Sequence, residues 1–160
     1  MNEIAFVRKV AMEVKILTRC DTEWWAKVAM YAKNCSWQPT GQYLSNRMKN
    51  NEFSNWERVF VALENGDIAG FCALSETSTV FGDMYTPYIS FLFVGESYRG
   101  NKISKTLIAS AIEYAKTIGL HKTYLYSDLT NFYEKYGFVK IDEKEVPWGI
   151  VQTVYMHSAK

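Results

Sequence analysis

Cysteine and histidine are scarce: three and two in 160 residues. Cys20, Cys35 and Cys72 are odd in number, widely spaced and form no C-x-x-C pair, so a disulfide framework is excluded. With only His121 and His157 beside them, a zinc site has little to build on. Neither histidine is assigned a functional role. Charge of one sign is also lacking: 18 basic residues stand against 17 acidic ones, with no basic run to suggest nucleic-acid binding. No apolar window approaches a membrane span, and residues 1–9 have no apolar stretch after their charges. A soluble, cytoplasmic protein is expected, with no metal, membrane or nucleic-acid partner. Linkers, repeats and low-complexity segments are missing too, so residues 1–160 read as a single domain. What is abundant is apolar and aromatic: 48% of residues are hydrophobic, enough for a core without staples.

The periodicities predict the order βααβββαβαββ. Residues 5–10 mix apolar and basic side chains and suit a first strand. Asp21 is a candidate N-cap for a helix to about Lys33, with Trp24, Trp25, Val28 and Ala32 at helical spacing. Residues 35–41 read as a loop, and 42–50 as a short helix with Leu44 and Met48 on one face. Two apolar runs, 58–63 and 68–74, flank Asn65-Gly66, which favours a tight hairpin turn. After a loop at 80–87, residues 88–94 form a dense apolar run, as in a buried central strand. Residues 103–118 carry the clearest helical pattern, closed by Gly119. A strand at 123–126, a short helix at 130–136, and strands at 138–141 and 151–156 complete the chain. Strand, turn, long helix and strand between Tyr88 and Tyr126 make a βαβ unit, which leaves a site at a strand's carboxyl end.

The turn into the long helix contains Arg99, Gly100, Asn101, Lys102, Ile103 and Ser104. A helix N-terminus exposes unpaired N–H groups and partial positive charge, and a preceding turn can aim more amides at the same point. Arg99 and Lys102 add full charges, which suits a pyrophosphate; an ordinary loop with two solvated cations fits the turn chemistry as well. The segment Leu92-Phe93-Val94 followed by residues 98–104 resembles the acetyl-coenzyme A motif of the GNAT acetyltransferases, Arg/Gln-x-x-Gly-x-Gly/Ala after a strand. Arg99 matches the first position, Ser104 is small where glycine or alanine is usual, and Lys102 stands at the first glycine. A positive φ at Lys102 would cost roughly 1–2 kcal/mol. Either the φ there is ordinary or the added charge offsets the strain.

Residues 131–138, Asn-Phe-Tyr-Glu-Lys-Tyr-Gly-Phe, resemble a second segment of the same family, (L/F)-Y-E-K-x-G-F. The two motifs and the strand between them cover residues 88–141, about a third of the chain. The resemblance implies the GNAT fold: an α/β (α+β) architecture with a mixed, mostly antiparallel twisted sheet of six to seven strands, flanked by helices on both faces. It implies that the backbone of Leu92, Phe93 and Val94 bonds the pantetheine arm of acetyl-CoA and that residues 99–104 hold the pyrophosphate. Many relatives use an asparagine after the next strand; Asn131 or Ser127 is expected to replace it. By the same resemblance Tyr133 lies beside the thioester sulfur as general acid, although a tyrosine on such a helix also packs well. Many relatives are dimers, so a homodimer is among the states left open.

The implied reaction is acetyl transfer from acetyl-CoA to a primary amine of a small molecule or peptide, by direct attack in a ternary complex. A lysine-like amine, pKa about 10.4, is free base in only about one molecule in a thousand or fewer at pH 7. Alignment supplies roughly 7–11 kcal/mol at best. Residues 88–94 contain no acid, so Glu57, Asp83 and Glu96 are the candidates for a base, each also suited to a solvated surface role. The acceptor wall is expected from the loop around Trp37, from residues 81–85 and from residues 146–149. A non-catalytic acyl-CoA sensor or interaction module on the same fold is the alternative.

Overall fold

The computed structural model describes residues 12–78, 81–146 and 149–160. Its sheet grows from the central hairpin. Strands β2 (Arg58–Glu64) and β3 (Asp67–Ser75) pair antiparallel around Asn65 and Gly66, whose φ values of 51° and 86° give the turn that matches strand twist. Strand β1 (Met12–Leu17) adds to the outer edge of β2, and β4 (Tyr88–Val94) adds antiparallel to β3. The strand expected at residues 5–10 lies outside the described residues. Helix α3 (Ile103–Thr117) crosses back to β5 (Lys122–Ser127), which runs parallel to β4. The chain ends in the antiparallel pair β6 (Val139–Glu145) and β7 (Val151–Ser158), with β7 inserted beside β5. Among the described residues the sheet has seven strands in the order β1-β2-β3-β4-β5-β7-β6. This is the expected fold.

Helices cover both faces because β2, β3 and β4 are apolar on both. On one face α3 buries Ile103, Leu107, Ile108, Ala111 and Ala115 against Phe60, Cys72, Leu74 and Ile89. On the other, α1 (Thr22–Asn34) and α2 (Thr40–Lys49) bury Val28, Ala32, Leu44 and Met48 against Phe71, Ala73 and Phe93. Phe71 is wholly buried, and truncation of such a ring to alanine typically costs about 3–5 kcal/mol. Asp21 occupies the N-cap position of α1, but its carboxylate accepts the N–H of Thr18 at 2.8 Å instead of a helix amide. Helices α1 and α2 meet closely at Gly41, where a Cβ would lie 2.1 Å from the Ala32 carbonyl oxygen. The short helix expected at residues 130–136 is a single 3₁₀ turn, Glu134–Tyr136, preceded by Asn131 at φ 58°. That left-handed residue breaks helical propagation, so only the end of the segment winds up.

Candidate active site

Strands β4 and β5 share one registered pair, Tyr88 with Tyr124, and the N–H of Tyr124 donates to the Pro87 carbonyl at 3.0 Å. Beyond that point they have no further ladder and the sheet forks. The cause lies in β4. Its register with β3 slips between Phe71 and Ala73, so Phe91 and Leu92 together oppose Cys72, and Phe91 sits at φ 54°. A bulge of this kind bends its strand and disrupts the local ladder. A bulky residue in the left-handed region is strained, and such strain gathers where backbone must be re-aimed.

At the carboxyl end of β4, a 3₁₀ turn (Glu96–Tyr98) leads through Gly100, φ 87°, into α3. Lys102 is the N-cap of α3 at φ 60° and ψ 27°. Of the two alternatives the ordinary φ is ruled out: the position takes the left-handed conformation that glycine adopts freely, and lysine adopts it at a cost. The helix start has no side-chain cap and no acidic residue in its first turn. Its first amides thus lack a helical partner, and the exposed Lys102 and Arg99 flank them. That donor set fits a phosphate group. Arg99 folds back along β4: its Nε donates to the Val94 carbonyl at 3.1 Å, and its guanidinium lies 5.8 Å from the Phe93 ring. One backbone acceptor expected to meet the pantetheine arm is thus engaged by Arg99. Leu92 and Val94 pack towards α3, and Phe93 is buried on the α1–α2 face. Ile103 is buried and Ser104 half-buried, while Asn101 and Asn131 are exposed.

The other arm of the fork carries Tyr133. Its ring is 8% exposed, edge-on to Phe132 at 4.9 Å and beside Tyr155 at 5.8 Å. Ser127, the last residue of β5, stands near its hydroxyl and weakly opposes the effect of burial on it. Ser127 Oγ accepts the Leu129 N–H at 3.0 Å, which fixes this side chain at the end of β5. Burial pushes the Tyr133 hydroxyl up to about 12, so it stays protonated across the physiological range.

The three acids separate. Glu57 is buried, contrary to the surface role expected for it. Its Oε1 accepts the Ser54 N–H and its Oε2 the Glu76 N–H, both at 2.8 Å, and Arg47 pairs with it at 3.5 Å. Both of its oxygens are thus engaged by backbone amides and the guanidinium, away from the fork. Glu96 accepts a hydrogen bond from the Ser36 hydroxyl, which holds its carboxyl below the usual value. Asp83 is exposed on the loop before β4. The expected wall residues fall in two clusters, Trp37 on Phe93 and residues 81–85 on β5, and residues 147–148 lie outside the described residues. Trp37 stacks on Phe93 at 6.2 Å, Phe81 meets Tyr126 at 5.7 Å, and Tyr85 stacks on Tyr124 at 5.2 Å while donating to Asp142 at 2.8 Å. Val146 is buried and bonded to Ile150. A groove of about 800 Å³ also opens between α1 and β3, past Trp24, Tyr31 and Ile68. It lies on the far side of β4 from the fork and brings no reactive pair together. Among the described residues no cluster of metal-ligating side chains occurs, and no helix is long and apolar enough to cross a membrane.

Sequence reasoning missed Arg47, which is half-buried beneath α2, and the Ser36–Glu96 contact. A signal existed for the first: Arg47 directly precedes the core residue Met48 on an amphipathic helix.

The profile of the acetyltransferase (GNAT) family matches residues 16–138, more than three quarters of the chain. The chain belongs to the GNAT acetyltransferase family. No curated protein matches it in sequence. Among solved structures, a GNAT acetyltransferase from Staphylococcus aureus is 19% identical, with TM-score 0.64 over 94% of this chain and 100% of its own. A chimera of the Vibrio cholerae spermidine N-acetyltransferase is also 19% identical, with TM-score 0.64 over 92% of this chain and 95% of its own. A Bacillus anthracis structure assigned as a streptothricin acetyltransferase, in complex with acetyl coenzyme A, is 25% identical, with TM-score 0.57 over 69% of this chain and 68% of its own. These likenesses support the GNAT fold; the forked strands and the uncapped helix are its local features here.

Proposed function

We propose that this GNAT protein is an N-acetyltransferase that moves the acetyl group of acetyl-CoA to a primary amine of a small molecule or peptide, by direct attack in a ternary complex. The observation that carries the reading is Tyr133, a buried phenol that stays protonated across the physiological range, on the segment that follows β5. The acetyl complex of the Bacillus anthracis relative supports the choice of donor. In this reading the first amides of α3, with Arg99, Gly100, Asn101, Lys102, Ile103 and Ser104, hold the pyrophosphate. The edge of β4 from Leu92 to Val94 orients the arm, and Asn131 borders it from the other side.

The amine nitrogen bonds to the thioester carbonyl carbon, the carbon–sulfur bond breaks, the nitrogen gives up a proton and the thiolate gains one. Moving the Tyr133 proton fully to a thiolate of pKa about 8.5 would be uphill by about 5 kcal/mol. Tyr133 therefore acts by donating a hydrogen bond to the sulfur as negative charge develops there, and solvent completes the transfer. Calorimetric titration with acetyl-CoA, desulfo-CoA and ADP tests the reading. Saturable acetyl-CoA binding, followed by thiol release with an amine panel, is expected. No binding at millimolar acetyl-CoA would refute it.

A further inference from the structure

Between Tyr88 and Val94 there is one hydroxyl, Ser90. Tyr88 is the last residue of β4 in register with β5, and Ser90 is the next side chain on the same face. It is half-buried, stands just before the bulge, and occupies on β4 the level that Tyr126 occupies on β5. Its Oγ lies 3.0 Å from Ser75 Oγ on β3, and Ser75 is wholly buried. Arg47 Nη1 donates to Ser75 Oγ at 3.3 Å, while Nη2 donates to the Glu52 carbonyl at 3.1 Å and faces Glu57 at 3.5 Å. A polar chain thus runs Glu57–Arg47–Ser75–Ser90, from under α2 to the point where the strands part. A buried ion pair is a weak source of stability, since apolar residues of like volume often serve as well. A site function explains why it is aimed at β4.

We propose that Ser90 binds the acceptor amine in its neutral form, and that the acceptor is a weakly basic primary amine such as an α-amino group; this rests on the acetyltransferase reading above. Whichever serine gives its proton to the other, Ser90 keeps a lone pair that accepts an N–H of the amine. The amine's own lone pair then remains available for attack. Ser75 and Arg47 are positioning residues. The cationic end of the Arg47–Glu57 pair faces Ser75, and its anionic end is turned away towards Ser54 and Glu76. Residues 88–94 offer no carboxylate. With the Arg47 guanidinium as the nearest charge behind Ser75 and no acid on β4, nothing there pairs with an ammonium or takes its proton. An α-amine is free base in about one molecule in seven at pH 7, against about one in two to three thousand for a lysine-like amine.

The test compares phenylalanine amide with a matched alkylamine, 2-phenylethylamine, as acceptors at pH 7 with saturating acetyl-CoA. The α-amine is expected to have the higher kcat/KM, by about tenfold or more. Ser90→Ala is expected to raise the acceptor KM about tenfold, with kcat and acetyl-CoA affinity within about twofold, and Ser90→Thr to restore it. Ser75→Ala, which leaves the fork's own residues in place, should move KM the same way by less. Acetyl-CoA binding and turnover with an unchanged KM in Ser90→Ala, or a preference for the alkylamine, would overturn the inference alone. Failure to bind acetyl-CoA would overturn it together with the reading beneath it.

Discussion

β5 pairs with β7 along its whole length, from Lys122 with Ser158 to Ser127 with Thr153, whereas β4 loses register with β3 midway and holds Phe91 at φ 54°. The straight arm offers side chains: Ser127 at its end and, after it, Tyr133. The bent arm offers backbone: the edge from Leu92 to Val94 and the amides that open α3. The difference teaches where the fork comes from. A ladder supported along one side has no reason to turn, so the opening is made by the bulge, and the chemistry of the two arms can be broken separately.

The largest effect is expected on the straight arm. Tyr133→Phe keeps the ring and its packing but removes the proton, and kcat should fall about 10²–10³-fold with acetyl-CoA affinity nearly unchanged. Stopped-flow turnover beside calorimetry reads both. Equal losses in kcat and affinity would show the ring to be part of the cradle instead. Behind the bent arm, Glu57→Gln leaves the half-buried Arg47 without its counter-charge, and stability should fall by about 3 kcal/mol, measured by urea unfolding. A loss under 1 kcal/mol would mean that water reaches the guanidinium freely.

A smaller effect is expected at the turn that ends the bent arm. Lys102→Gly trades a strained residue for one that takes φ 60° freely, at the loss of one charge. Stability should stay within about 1 kcal/mol. Acetyl-CoA affinity should drop a few-fold and become less sensitive to salt. An unchanged salt dependence would remove Lys102 from the phosphate site. The smallest effect belongs to the straight arm's support. His157 on β7 packs against Phe138 at 5.3 Å, and burial lowers its pKa below the usual value. The folded state therefore resists a proton that the unfolded chain accepts, so stability is full above about pH 6.5 and declines as pH falls below it. Melting temperatures from pH 7.5 to 5 should show this slope, and His157→Phe should flatten it.

Much of this was legible in the sequence, for reasons particular residues make plain. The hairpin at Asn65-Gly66, the apolar run 88–94 and the stripe of α3 each carry a period or a turn residue that permits one answer. The fork was reachable only through the family motif, because nothing in Ser-Phe-Leu-Phe marks Phe91 as left-handed. The same holds for Lys102, where the side chain argues against the conformation it adopts. Glu57 looked like any acid in a loop until α2, carrying Arg47, was laid over it. Pairings across ten to thirty residues, such as Arg47 with Glu57 and with Ser75, leave no local periodicity to read.

Ser36 on the α1–α2 loop donates to Glu96 on the turn after β4, Trp37 of the same loop stacks on Phe93, and the Tyr31 hydroxyl lies where a Cβ on Gly95 would come within 2.8 Å. In the language of hydrogen exchange, these contacts tie the helical cover to the turn that opens α3, and the two are expected to open as one cooperative unit. Their amides should exchange at a common rate, and a ligand that settles on the turn should slow exchange in the loop around Trp37, which it never touches.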